Sequence, residues 1–189
     1  MRGRVIASSS VLASVRPVWV AAAVAFVAFA LVAAGAARAD VLKVGDRLAE
    51  LDVATDAGGK PVKLKAYKGK WLVVTVGADW CKPCAKELPT WDRLAGEMKG
   101  KAVFIAVDID DDIEVGKKFH DRLRLRNMVR VYLPSERSGV VASYGSDHMP
   151  STFVADGQGV VRLVREGFEA GDADGEYKKF KDALVKLVK

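Results

Sequence analysis

The stretch Trp71-Leu72-Val73-Val74-Thr75-Val76-Gly77-Ala78-Asp79-Trp80-Cys81-Lys82-Pro83-Cys84 decides how this chain is read. Residues 71–76 form an apolar, β-branched run without alternation, which predicts a strand buried on both faces. Beyond it, Leu88, Trp91, Leu94, Ala95 and Met98 recur at helical spacing up to Gly100. Pro89 falls inside that helix and is expected to kink it after its first turn. Between strand and helix stand Cys81 and Cys84, the only two cysteines of the 189 residues. A C-x-x-C pair can be a structural staple, part of a metal site, or a dithiol that closes and reopens.

The first two uses fit poorly. A disulfide across so short a loop stabilises little by the chain-entropy argument. A structural zinc needs four ligands, and two cysteines with two histidines are all the sulfur and imidazole available. The redox use has a physical basis. Cys81 stands where free backbone N–H groups and the helix dipole favour a thiolate. Cys84 lies one turn further in, within reach of a mixed disulfide formed on Cys81. Pro83 suits a first helical turn, where its missing N–H costs nothing, and exposed Lys82 adds a salt-screened push toward thiolate. Trp80 is expected over the site or on the open surface beside it.

Working outward, residues 102–107 and 128–133 read as further strands, with a charged helix from Ile113 to about Leu125 between them and a short helix around Gly139 to Tyr144. His148-Met149-Pro150-Ser151-Thr152-Phe153-Val154 sets a proline directly before a strand, and Asp156-Gly157-Gln158-Gly159 turns it into a return strand at 160–164. A last amphipathic helix covers about Asp174 to Lys189. Upstream, residues 40–50 form an entry segment. The alternation of Leu51 with Val53, and of Val62 with Leu64, around Ala57-Gly58-Gly59-Lys60 predicts a surface β-hairpin. The order of elements predicts one α/β domain, a sheet with helices on both faces.

The first 39 residues are set apart. Arg2, Arg4 and Arg16 precede an uncharged apolar run over 18–37, and Ala37-Arg38-Ala39 is a small-residue exit suited to cleavage after Ala39. The expectation is a signal peptide, with an uncleaved anchor through residues 18–37 as the alternative. Either way residues 40–189 are expected outside the cytoplasm. The formal charge of +6 is largely a property of this leader. Without its four arginines 26 basic residues face 24 acidic ones, +2. No charge block or basic-aromatic stripe supports a nucleic-acid partner.

Trp80-Cys81-Lys82-Pro83-Cys84 followed by Glu87 and Pro89 resembles the W-C-x-P-C-x-x-E-x-P signature of the TlpA/ResA-like thiol-disulfide oxidoreductases. Met149-Pro150-Ser151-Thr152-Phe153-Val154 resembles their cis-proline segment, and the likeness runs from Asp79 to about Gly167. It implies a thioredoxin-like fold over 40–189 (a central mixed sheet flanked by helices, with a central insertion at about 103–130). It also implies that Cys81 attacks, Cys84 resolves, Glu87 exchanges the proton of Cys84, and Pro150 is cis against the sulfurs. Trp80, Lys82, Pro83 and Met149 are then expected around a bound substrate, with no cofactor and no metal.

The chain also departs from the family. Thr75 stands where ordinary thioredoxins bury an aspartate, and Gly77 replaces an aromatic, which is expected to open the groove. Met149 replaces a smaller or β-branched residue before the proline.

The expected activity is dithiol–disulfide exchange with exported protein thiols, as a reductant served by a membrane-bound partner, of the kind the family uses in cytochrome c maturation. A disulfide-introducing oxidant is the nearest alternative. Copper(I) delivery through Cys81, Cys84 and His148 is the alternative from another class. A peroxidase is disfavoured, because Ala78 stands where a T-x-x-C motif needs its hydroxyl. His120, in a charged helix, is expected to be solvated.

Overall fold

The computed structural model describes residues 40–188; the expected leader, with the apolar run 18–37, lies outside them. The central strand is β1 (Trp71–Gly77), buried from Leu72 onward. The chain then forms α1 (Cys84–Glu97), β2 (Ala102–Asp108), α2 (Ile113–Arg122), β3 (Val129–Tyr132), β4 (Ser151–Ala155), β5 (Val161–Glu166) and α3 (Ala173–Leu187). The sheet order is β3-β2-β1-β4-β5. β1, β2 and β3 pair in parallel, whereas β1 with β4 and β4 with β5 pair antiparallel. A mixed five-stranded sheet flanked by helices is thus the architecture of the domain. The stretch expected as an insertion, about 103–130, takes in most of β2 and all of α2 and reaches only the start of the edge strand β3.

The two faces are covered differently from the expectation of helices on both. Val73, Phe104, Ala106 and Val154 face Leu88, Trp91 and Leu94 of α1, Phe119 of α2 and Phe180 and Leu184 of α3. On the other face Leu72, Val74, Val76, Ile105 and Phe153 meet Leu51, Leu64 and Tyr144, which belong to no α-helix. Crossover handedness explains this. β1-α1-β2 and β2-α2-β3 step across the sheet in the same direction, and right-handed crossovers stepping the same way lie on the same face.

Two further boundaries differ. The N-terminal hairpin shrinks to one bridge between Thr55 and Pro61. Pro61 offers no N–H to a ladder, Asp56 instead caps Gly58 and Lys60, and Leu64–Tyr67 winds into a 3-10 turn whose first amides bond Glu50. α2 stops at Arg122, short of Leu125, because Arg124 takes a φ of 56° and the Asp92 carboxylate accepts the N–H groups of Arg126, Asn127 and Met128. Among the described residues no helix is long and apolar enough to cross a membrane.

Candidate active site

The carboxyl end of β1 delivers Ala78, Asp79 and Trp80 into the turn that carries Cys81, and Cys84 opens α1. Cys84 is fully buried and Cys81 is 6% exposed. The two form a disulfide. The N–H of Cys84 donates to Cys81 Sγ at 3.3 Å, so a backbone donor at the helix start is aimed at the more accessible sulfur. That contact favours negative charge on it.

An open groove runs past this sulfur, lined by Trp80, Cys81, Lys82, Pro83, Ser146, Asp147 and Met149. Trp80 is 65% exposed and forms a wall of the groove. The Met149–Pro150 bond is cis, and Pro150 is buried with its carbonyl bonded to the N–H of Gly167 at 2.8 Å. His148 is exposed and is not among the residues that line the groove, which fits a solvated loop histidine and not the copper(I) alternative that needs it beside the sulfurs. Ser151 Oγ lies 3.1 Å from the carbonyl oxygen of Gly145 and 3.2 Å from that of His148, and so holds the backbone just before the cis bond. Among the described residues no group of three or more His, Cys, Asp or Glu is arranged to hold a metal.

Glu87, one turn past Cys84, is fully buried. Burial pushes its carboxyl up to about 8, against the opposing pull of the nearby Trp91 indole, the Thr152 hydroxyl and the Arg165 guanidinium. Thr152 Oγ1 donates to Glu87 Oε1 at 3.2 Å, and Thr75 Oγ1 lies 2.9 Å from Thr152 Oγ1. Thr75 and Thr152 are paired across the β1–β4 ladder. The residue standing in place of a thioredoxin aspartate therefore ends a buried hydroxyl chain that leads to Glu87.

Gly77 lies beneath the site and not beside the groove. A Cβ there would come 3.1 Å from Cys84 Cβ and 3.3 Å from Cys84 Sγ. Its lack of a side chain admits the buried sulfur; the expected opening of the groove is corrected accordingly.

On the β2 side a second polar cluster supports the same turn. The N–H of Asp79 donates to Asp110 Oδ2 at 2.8 Å, and the N–H of Asp110 donates to Asp108 Oδ1 at 3.1 Å. The Asp79 carboxylate pairs with Arg122 of α2. Burial raises the Asp108 carboxyl, with the charge of Asp110 next in weight. His120, expected in solvent, is fully buried. It shares the sheet-facing side of α2 with Gly116 and Phe119 and lies 5.3 Å from the Tyr132 ring. Burial pulls its imidazole down to about 4, so it is neutral at ordinary pH.

Comparison with known proteins agrees with this geometry. Residues 44–164 match the model of the AhpC/TSA family. The thiol-disulfide oxidoreductase ResA of Bacillus thuringiensis subsp. konkukian is 33% identical over 128 residues, 67% of this chain and 72% of that one. Among solved structures, a Chlorobium tepidum protein assigned as thiol:disulfide interchange protein DsbE superposes with a TM-score of 0.63 at 25% identity, covering 76% of this chain and 99% of that one. The thioredoxin domain of a Bacteroides vulgatus thiol-disulfide oxidoreductase gives 0.60 at 22% identity, over 78% and 99%, a likeness of fold.

Proposed function

This chain belongs to the AhpC/TSA family, as a thiol-disulfide oxidoreductase of thioredoxin-like fold, and from that premise we propose that Cys81 is the attacking sulfur and Cys84 the resolving one. The difference in exposure between the two carries this assignment. The Cys81 thiolate attacks one sulfur of a partner disulfide, and the partner's other sulfur leaves as a thiolate. Cys84 gives its proton to the Glu87 carboxylate and attacks Cys81 Sγ. The Cys81–Cys84 disulfide forms, and the second partner sulfur departs as a thiol after protonation. Two electrons pass to the partner. In the reverse direction Cys84 is the leaving group and protonated Glu87 returns the proton.

Trp80, Lys82, Pro83 and Met149 line the groove where the partner's backbone lies, and Pro150 holds the Met149 loop beside Cys81. Ala78, apolar and buried, offers no hydroxyl for peroxide chemistry.

The chain acts as a reductant outside the cytoplasm, delivered by residues 1–39 as signal or anchor. It is re-reduced by a membrane-bound partner and serves exported protein thiols of the kind needed for cytochrome c maturation. Support comes from the leader pattern and from the ResA and DsbE names of its relatives. The test is a Cys84→Ala variant of the full chain, which should hold the partner on Cys81 as a mixed disulfide. Failure to trap any exported protein, with slow alkylation of the Cys81 thiol, would overturn the assignment. Equilibration with glutathione tests direction: a couple well above that of glutathione makes the protein an oxidant.

A further inference from the structure

We propose that Arg165 of β5, tethered by Glu176 of α3, is a positioning residue that sets the charge of Glu87 and through it the proton exchange of Cys84. The second half of this proposal rests on the role given above to Glu87.

Arg165 stands opposite Thr152 in the β4–β5 ladder. It therefore leaves the sheet on the face where Thr152 bonds Glu87. Its guanidinium carbon lies 5.7 Å from the ring of Trp91, one turn beyond Glu87 on α1, and 5.3 Å from the ring of Phe180 on α3. Between these rings the side chain is only 22% exposed, and it ends on the Glu176 carboxylate, itself 11% exposed. Lys179 Nζ approaches the other oxygen of Glu176 at 3.3 Å. Three buried polar atoms make no hydrogen bond in this region: Glu87 Oε2, Trp91 Nε1 and Arg165 Nε. One Glu87 oxygen thus stays unpaired, with an unpaired indole N–H one turn along the same helix and a guanidinium beside that indole, surroundings that favour charge on the carboxyl.

A guanidinium keeps its charge at every working pH, and a charge among aromatic rings is weakly screened. Arg165 stabilises ionised Glu87, whereas Glu176 opposes ionisation. The titratable or charged groups that face Glu87 are Cys84 on its own helix, Arg165 from β5 and Glu176 from α3; Thr152 donates its hydroxyl, and the Trp91 indole lies near without a hydrogen bond.

The decisive experiment follows the Glu87 carboxyl by carbon-detected NMR in the oxidised full chain, alongside the pH profile of disulfide reduction. Arg165→Gln should move the Glu87 midpoint upward by about one pH unit, tenfold in proton affinity. Arg165→Lys should restore most of that shift, and Glu176→Gln should move the midpoint downward. Both neutral variants break the same ion pair, so a merely structural pair would shift Glu87 in one direction only. Shifts of the same sign, or none, overturn the proposal. The pH profile of reduction should follow the midpoint and become indifferent to Arg165→Gln in a Glu87→Gln background. If the midpoints diverge as expected but the profile stays still, the control of Glu87 by Arg165 stands and the proton-exchange role of Glu87 falls.

Discussion

Glu87 and Asp108 are both buried acids near the carboxyl end of β1, one reached through β4 and the other on β2. Burial raises both carboxyls. Their neighbours differ. Glu87 meets a hydroxyl from Thr152, an indole from Trp91 and the field of Arg165, and stands one helical turn from Cys84. Asp108 meets two more acids, Asp110 and Asp79, and its bond partner is a backbone amide. The first environment lets a proton come and go beside a sulfur. The second ties down the turn that carries Trp80 and Cys81, through Asp110 and the N–H of Asp79. With Glu87 in its proposed role, the same desolvation serves chemistry on one side and bracing on the other, and the partners decide which.

The largest effect expected from this contrast is in stability against pH. In the unfolded chain Glu87 loses its proton near 4.5, whereas in the folded chain it keeps it until about 8. Between those values the folded state binds more protons, so stability falls as pH rises. At about 1.4 kcal/mol per unit, the fully buried group accounts for a decline of roughly 3 to 5 kcal/mol across that window. Glu87→Gln should flatten the decline and leave the oxidised protein more stable above the window, as read by chemical denaturation at a series of pH values. Asp108→Asn should act in the same direction. A decline of full size in the Glu87→Gln protein would show that burial alone does not govern this acid.

Exchange kinetics should separate what stability joins. Glu87→Gln is expected to slow the steps that protonate or deprotonate Cys84 by about 100-fold, while Asp108→Asn changes them by less than about twofold, because no reacting atom lies beside it. In the role proposed for Glu87, reduction of the Cys81–Cys84 disulfide draws on its acid form and should fall as pH passes about 8. Oxidation of the dithiol draws on the base form and should rise there. Stopped-flow measurement of both directions checks this. Equal losses in the two variants would erase the distinction between the two acids.

The sequence carried one side of this contrast much further than the other. The apolar run 71–76, the C-x-x-C at its end and the proline before β4 are local patterns, and they lie where those patterns put them. Glu87 was legible through its family signature and its spacing from Cys84. The β2 cluster is hidden in the acidic stretch Asp108 to Asp112, where nothing in the local spacing marks Asp108 and Asp110 as the two that are buried. His120 was misread for a related reason. Lys117 and Lys118 make α2 look solvated, while the stripe Gly116–Phe119–His120 faces the sheet. Arg165 and Glu176 sit on different elements, and no periodicity within either one brings them together. Faces within an element follow from its own residues, but what covers a face depends on crossover direction, which no short stretch encodes.

Two glycines give the contrast its finest test. A Cβ at Gly116 would lie 2.0 Å from Asp108 Oδ1, 2.6 Å from its Cγ and 3.1 Å from Tyr132 Cδ1. On an open helix Gly→Ala gains about 1 kcal/mol. Here the alanine must displace a buried carboxylate already bonded to the Asp110 amide, and Gly116→Ala should instead cost about 1 to 3 kcal/mol. Gly77→Ala meets Cys84 Cβ and Sγ at 3.1 and 3.3 Å, a crowding relieved by a shift of a few tenths of an ångström. Its stability cost should stay below about 1 kcal/mol. The atom that moves, however, is Cys84 Sγ, one half of the disulfide, so the dithiol–disulfide equilibrium against glutathione should change by up to about tenfold, whereas Gly116→Ala leaves it in place. Thermal melting and redox equilibration of both variants read the two outcomes separately. If Gly116→Ala shifted the redox equilibrium as far as Gly77→Ala, the Asp108 side would be acting on the sulfurs after all, and its description as a brace would fail.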